Sequence, residues 1–110
     1  EPYRRQRQMC IRDRRYAEGT CLDISGGGMR FVGSKMIETG MKLILIFQIV
    51  VGGKEIKFRL PATVRMSFSL PNDSTKYEHR VEFENISKEY REILIKYIFE
   101  EERMMRKSAK

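Results

Sequence analysis

The sequence predicts an all-β domain of five or six antiparallel strands closed into a barrel, followed by one C-terminal helix. Three observations carry that reading. Ile56, Phe58, Leu60, Ala62, Val64 and Met66 fall on one face of a stretch whose other face holds Lys57, Arg59, Pro61, Thr63 and Arg65. Such a period of two belongs to a half-buried strand. Glycine-rich turn signals, Gly26-Gly27-Gly28 and Gly52-Gly53 among them, punctuate the apolar stretches at short intervals. From Ser87 the period changes, and Tyr90, Ile93, Leu94, Tyr97 and Ile98 recur at helical spacing with charges between them. Antiparallel meanders of this size usually close into a barrel.

Taken in order, residues 1–18 are polar and arginine-rich, and Met9 and Ile11 alternate with polar neighbours, a pattern that admits a short first strand. Glu18-Gly19 reads as a turn, and Thr20 to Ile24 as a strand of residues suited to a pleated surface. Ser25 to Gly28 interrupts it, because consecutive glycines are costly inside a strand. Met29 to Val32 resumes strand character, and Gly33 to Gly40 is a loop with room for one helical turn. Met41 to Val51 is a long apolar run, expected to be a strand buried on much of both faces. Gly52-Gly53 suits a two-residue hairpin turn with positive φ at both positions. Pro61, which cannot donate to a ladder, implies an edge or a bulge. Leu70 to Asp73 is a loop; Tyr77, His79, Val81 and Phe83 alternate in a last strand. Ser87 is the expected N-cap of a helix running to about Arg106. The expected organisation is thus residues 1–18 as an arginine-rich arm, 19–86 as the barrel, and 87–110 as helix and basic tail.

The chain of 110 residues, 41% hydrophobic and 34% charged, has the size of one domain with a single modest core. No apolar run approaches the roughly 20 residues of a membrane helix, and no secretory leader is visible. Glu1 is not a natural start, so the chain is expected to be a fragment. A net charge of +7 and a pI of about 9.6 suit an anionic partner: nucleic acid, an anionic lipid surface or a phosphorylated small molecule. The charge crowds at Arg4, Arg5, Arg7, Arg12, Arg14 and Arg15, and again at Arg103, Arg106, Lys107 and Lys110. Cys10 and Cys21 lack metal-ligand spacing, so no metal is expected; reduced thiols are the simpler reading, and a bridge between the two is the alternative.

Two segments carry chemistry. In Asp23-Ile24-Ser25-Gly26-Gly27-Gly28 the acid and the hydroxyl stand two apart, on one face of a strand. A carboxylate can accept from the N1–H and N2–H edge of guanine, a hydroxyl can donate to a phosphate or base oxygen, and glycine permits close approach. The plainer alternative is a glycine-rich turn whose Asp and Ser satisfy local backbone groups. The second segment, Arg4-Arg5-Gln6-Arg7, offers guanidinium forks that bind phosphate bidentately and read guanine O6 and N7; its alternative is a solvated basic tail. His79, the single histidine, lacks a nucleophile or metal partner in the sequence and reads as structural or surface. No hydrolase elbow, Walker loop or paired catalytic set is present, so no enzyme is expected.

Together these segments resemble the PilZ family, whose pattern is RxxxR followed by (D/N)xSxxG. Asp23, Ser25 and Gly28 match the second motif, in the context Asp-Ile-Ser-Gly-Gly-Gly-Met-Arg-Phe. Glu38-Thr-Gly-Met before the apolar strand, Val81-Glu-Phe-Glu-Asn-Ile-Ser leading into the helix, and Lys96-Tyr-Ile-Phe near the end extend the likeness over about residues 19–107. The resemblance implies a six-stranded antiparallel PilZ-like β-barrel that binds cyclic di-GMP, with no further cofactor, in a bacterial cytoplasm. Asp23, Ser25, Gly26, Gly27 and Gly28 would form the floor of the site, and Arg4, Arg5 and Arg7 would close over it. The first motif departs from the pattern, since no two arginines in the N-terminal segment stand four apart. The end of the chain resembles flagellar-brake proteins, which implies a flagellar motor or stator as partner. Two other functions compete: a degenerate PilZ domain acting as a protein-interaction module, and a basic nucleic-acid-binding barrel. The outward Lys57, Arg59 and Arg65 lack interleaved aromatics, which weighs against base stacking in the latter.

Overall fold

A computed structural model describes the backbone of residues 6–11 and 15–108, and side chains over residues 19–104. The chain is all-β with a C-terminal helix. Five strands, β2 (Arg15–Ile24), β3 (Gly28–Gly33), β4 (Lys42–Val51), β5 (Lys54–Leu70) and β6 (Asp73–Phe83), form a curled antiparallel wall in the order β2-β3-β6-β5-β4. The short β1 (Gln6–Ile11) pairs with both β2 and β4, the outer members of that wall, and closes it. Helix α1 spans Lys88–Ser108.

Several local expectations give way to non-local pairing. Glu18-Gly19 is not a turn: β2 begins at Arg15, so the boundary expected at residue 19 falls inside a strand. Gly19 lies opposite Arg7 on β1 and Gly33 on β3, and both glycines are buried. A glycine inside a strand marks a close backbone approach as readily as a turn. The segment 34–40 holds bends and a turn but no helical turn.

The core forms from alternate residues, as period two requires. Leu43, Leu45, Phe47, Ile49 and Val51 of β4 meet Phe58, Leu60, Ala62 and Val64 of β5, and Phe47 and Phe58 stack with ring centroids 5.0 Å apart. The alternation expected to carry Met66 inward breaks at a bulge between Val64 and Met66. One extra residue reverses the facing, so Met66 is exposed, while Ser67 Oγ donates to the Ile37 carbonyl. Pro61 sits inside the wall, opposite Ile44, where pairing of β5 with β6 has not yet begun. Its carbonyl still accepts from the Glu84 N–H at 2.8 Å. Gly52 and Gly53 turn the β4–β5 hairpin with φ of 57° and 78°, which side chains rarely tolerate.

The helix starts where the sequence places it. Ser87 Oγ accepts from the Tyr90 N–H at 3.1 Å, the N-cap bond. Leu94 is fully buried, and the Tyr90 ring lies 4.7 Å from that of Phe58. The turns after β2 and β4 and the end of β6 share one end of the barrel, and α1 crosses that end. There Arg91 and Ile95 approach Gly26, and Glu100 Oε1 accepts from the Gly52 N–H at 3.2 Å. His79 is also fully buried, its ring stacked 4.8 Å from Phe31, and its Nε2 accepts from the Ile37 N–H at 3.1 Å. The sole histidine therefore pins the β3–β4 connection rather than lying on the surface.

Candidate functional site

The site grows from the end of β2. A register shift between Cys21 and Asp23 places Asp23 opposite Arg30 of β3. Bulges of this kind re-aim the side chains that follow them. Asp23 points to solvent with its side chain 61% exposed, and its carboxylate lies 3.5 Å from Arg30 Nε. Ser25 is also exposed and faces the same concavity. The expectation that the acid and the hydroxyl share an outward face therefore holds in space, although Ser25 lies just past the strand end.

Ser25 shapes the turn it opens. Its backbone N–H donates to the Gly28 carbonyl at 2.9 Å. Its Oγ accepts from the N–H groups of Gly27 and Gly28 at 3.3 and 3.1 Å, and lies 3.3 Å from the Gly28 carbonyl as a donor. This is the local backbone satisfaction that serine supplies in turns. The hydroxyl can donate to a ligand only by rotating away from that carbonyl.

The glycines have separate tasks. A Cβ on Gly28 would stand 2.2 Å from the Val81 carbonyl oxygen, so this glycine makes room for the backbone of β6. That is a structural demand on the glycine, which also lines the concavity described below. Gly26 backs onto α1, with an added Cβ 3.6 Å from Arg91 Cγ and 3.7 Å from Ile95 Cγ1, while Gly27 has nothing within 4 Å. The Gly27 carbonyl accepts from the Phe83 N–H at 2.8 Å, which ties the turn to the end of β6.

The outcome is a shallow concavity of about 170 Å³ lined by Asp23, Ser25, Gly28, Arg30, Arg80 and the apolar edges of neighbouring residues. Pockets that bury a drug-sized ligand run from roughly 300 to 1,000 Å³, so this one suits a single base or phosphate. Gly26 and Gly27 stand beside it without lining it. Arg4 and Arg5 lie outside the described residues. Arg7 lies on β1 with its backbone opposite Gly19, and its side chain is not described.

Sequence reasoning missed Arg30 and Arg80, which line the concavity from β3 and β6. Arg30 could have been found: Met29 and Phe31 are apolar, so alternation turns Arg30 to the face of Asp23. Arg80 could not, because its place depends on the pairing of β3 with β6. Glu78, with its side chain 10% exposed, joins the two: its Oε2 lies 3.4 Å from Arg30 Nη1 and 3.4 Å from Arg80 Nε.

An outward-facing acid and serine stand at a tight glycine turn on a small antiparallel barrel, flanked by two arginines. The family model of the PilZ domain matches residues 4–100, and the chain belongs to that family, whose members are binding and regulatory domains rather than enzymes. Among solved structures the chain is similar to the Bacillus subtilis inhibitor of motility (MotI/DgrA), with a TM-score of 0.76 and 21% identity over 89% of this chain and 47% of that one. The chain therefore spans about half the length of that protein. No curated protein sequence matches it significantly.

Proposed function

We propose that the chain is a cyclic di-GMP sensor domain. The observation that carries this reading is the pairing of an exposed Asp23 carboxylate with the Ser25 turn at the rim of one base-sized concavity. Asp23 would accept from the N1–H and N2–H of a guanine, a pattern adenine does not offer. Gly28 lines that concavity without side-chain bulk, and Gly26 and Gly27 stand beside it. The concavity is too small for a dinucleotide, so the remaining surface of the ligand would be covered by the arm bearing Arg4, Arg5 and Arg7. Guanidinium groups suit that task, since they bind phosphate bidentately and stack on bases.

Folding of the arm onto the ligand would alter the surface offered to a protein partner. Arg91 and Ile95 of α1 lie close beside Gly26 of the turn, and Ile95 and Phe99 are exposed on that helix. Regulation of motility through a flagellar motor or stator protein is the role this reading supports, in line with the name of the structural neighbour, an inhibitor of motility.

Calorimetric titration with cyclic di-GMP, against cyclic di-AMP and GTP, tests the proposal. Saturable binding of cyclic di-GMP alone, weakened at least about tenfold by Asp23→Ala or Arg5→Ala (about 1.4 kcal/mol), is the expected result. Absence of binding would leave a protein-interaction module as the better reading.

A further inference from the structure

The pairing of β3 with β6 sets Arg30 directly opposite Arg80. Like charges at directly opposed positions destabilise a sheet. An outward-facing strand position accepts almost any polar residue, so two arginines here ask for a reason. The partial answer within the fold is Glu78, whose shielded carboxylate is shared by both guanidinium groups. One carboxylate offsets one of two positive charges. The other counter-charge is Asp23, 3.5 Å from Arg30 and mostly exposed, and it is the residue proposed to take a guanine edge.

These charges are coupled through Asp23. When its carboxylate turns to a guanine, Arg30 loses a counter-ion and the arginine pair keeps a net positive charge beside Glu78. The two guanidinium groups remain available to solvent, with side chains 40% and 49% exposed. Arg80 meets Glu78 through Nε alone and has its Cζ 5.9 Å from the Phe68 ring, which leaves its outer fork for another acceptor. Both arginines line the same concavity as Asp23 and Ser25.

We infer that Arg30 and Arg80 form a phosphate-binding pair built into the barrel wall, holding a phosphodiester of the ligand whose guanine lies against Asp23. The inference rests on the cyclic di-GMP reading above and deepens it. It supplies from rigid strands part of the positive charge that a paired RxxxR would bring, and that the N-terminal spacing lacks. Groups carried on paired strands are held in place before the ligand arrives, which lowers the ordering cost of binding.

The test titrates cyclic di-GMP into the wild type and into Arg30→Ala, Arg80→Ala, Arg80→Lys and Asp23→Ala at several salt concentrations, with equal thermal midpoints confirming that each variant is folded. Each arginine-to-alanine change should weaken binding about tenfold or more and make it less sensitive to salt, because screening then acts on one charged contact fewer. Arg80→Lys should recover part of the loss, because a point charge replaces a fork. Full wild-type affinity and salt slope in both alanine variants, with Asp23→Ala still impaired, would overturn the arginine pair while leaving the sensor reading intact. A wild type that does not bind at all would remove both.

Discussion

Gly28 and Val81 are locked together: a Cβ on the glycine would lie 2.2 Å from the valine carbonyl oxygen. The motif glycine is thus a packing residue, placed where β3 leaves the turn and begins to pair with β6. Gly28→Ala should cost about 2–3 kcal/mol through forced backbone displacement, read as a lowered denaturation midpoint. Gly27→Ala, with nothing within 4 Å of an added Cβ, should stay within about 0.5 kcal/mol of wild type. Equal stability of the two variants would show that the strand contact is not as close as described.

Ser25→Ala should act through the turn. It removes the acceptor of two backbone N–H bonds, at a cost of about 1 kcal/mol. Ser25→Thr keeps the hydroxyl and should retain most of the stability and most of the cyclic di-GMP affinity. Calorimetry and thermal melting on both variants check this; a Thr variant as impaired as Ala would point instead to a ligand contact that the extra methyl group blocks.

His79 gives the fold a pH dependence whose sign is set by burial, which pushes the imidazole below its ordinary value of 6.5, against a smaller opposing pull from Glu78. The bond from the Ile37 N–H to Nε2 requires that nitrogen to be unprotonated. Below the ordinary value the unfolded chain takes up a proton that the folded chain refuses. The unfolded state then binds more protons, so stability decreases as the pH is lowered through that value; above it the contribution is flat. Denaturant midpoints between about pH 7 and pH 5 should decline in the wild type and decline less in His79→Gln. Glu84, held below its ordinary 4.5 by hydrogen bonds from Thr63 and then Lys42, contributes stability that is lost only at lower pH, so the two windows are separable. An unchanged slope in His79→Gln would refute the assignment.

The helix is fastened to the barrel through one fully buried side chain, Leu94. Leu94→Ala should destabilise the domain by about 2–5 kcal/mol. Because α1 also touches Gly26 through Arg91 and Ile95, the variant should weaken cyclic di-GMP binding as well. Titration at low temperature, where the variant is folded, separates the two effects; full affinity there would show that the helix does not support the turn.

Local pattern was enough to read β5, the Gly52-Gly53 hairpin and the helix from its Ser87 cap, because each is decided by neighbours within a few residues; β4 was legible as a strand, but it buries alternate residues and exposes Gln48 and Val50 where burial on much of both faces was expected. The outward placement of Asp23 and Ser25 was legible for the same reason. Tertiary structure alone decided that Gly19 lies inside a strand, that a bulge after Val64 turns Met66 to solvent, that Gly28 yields to β6, and that Arg30 stands across from Arg80. Each of those facts depends on the register between separate strands, not on neighbours along the chain. Register arises from how whole strands bury their apolar faces together, and no short stretch of chain contains that information.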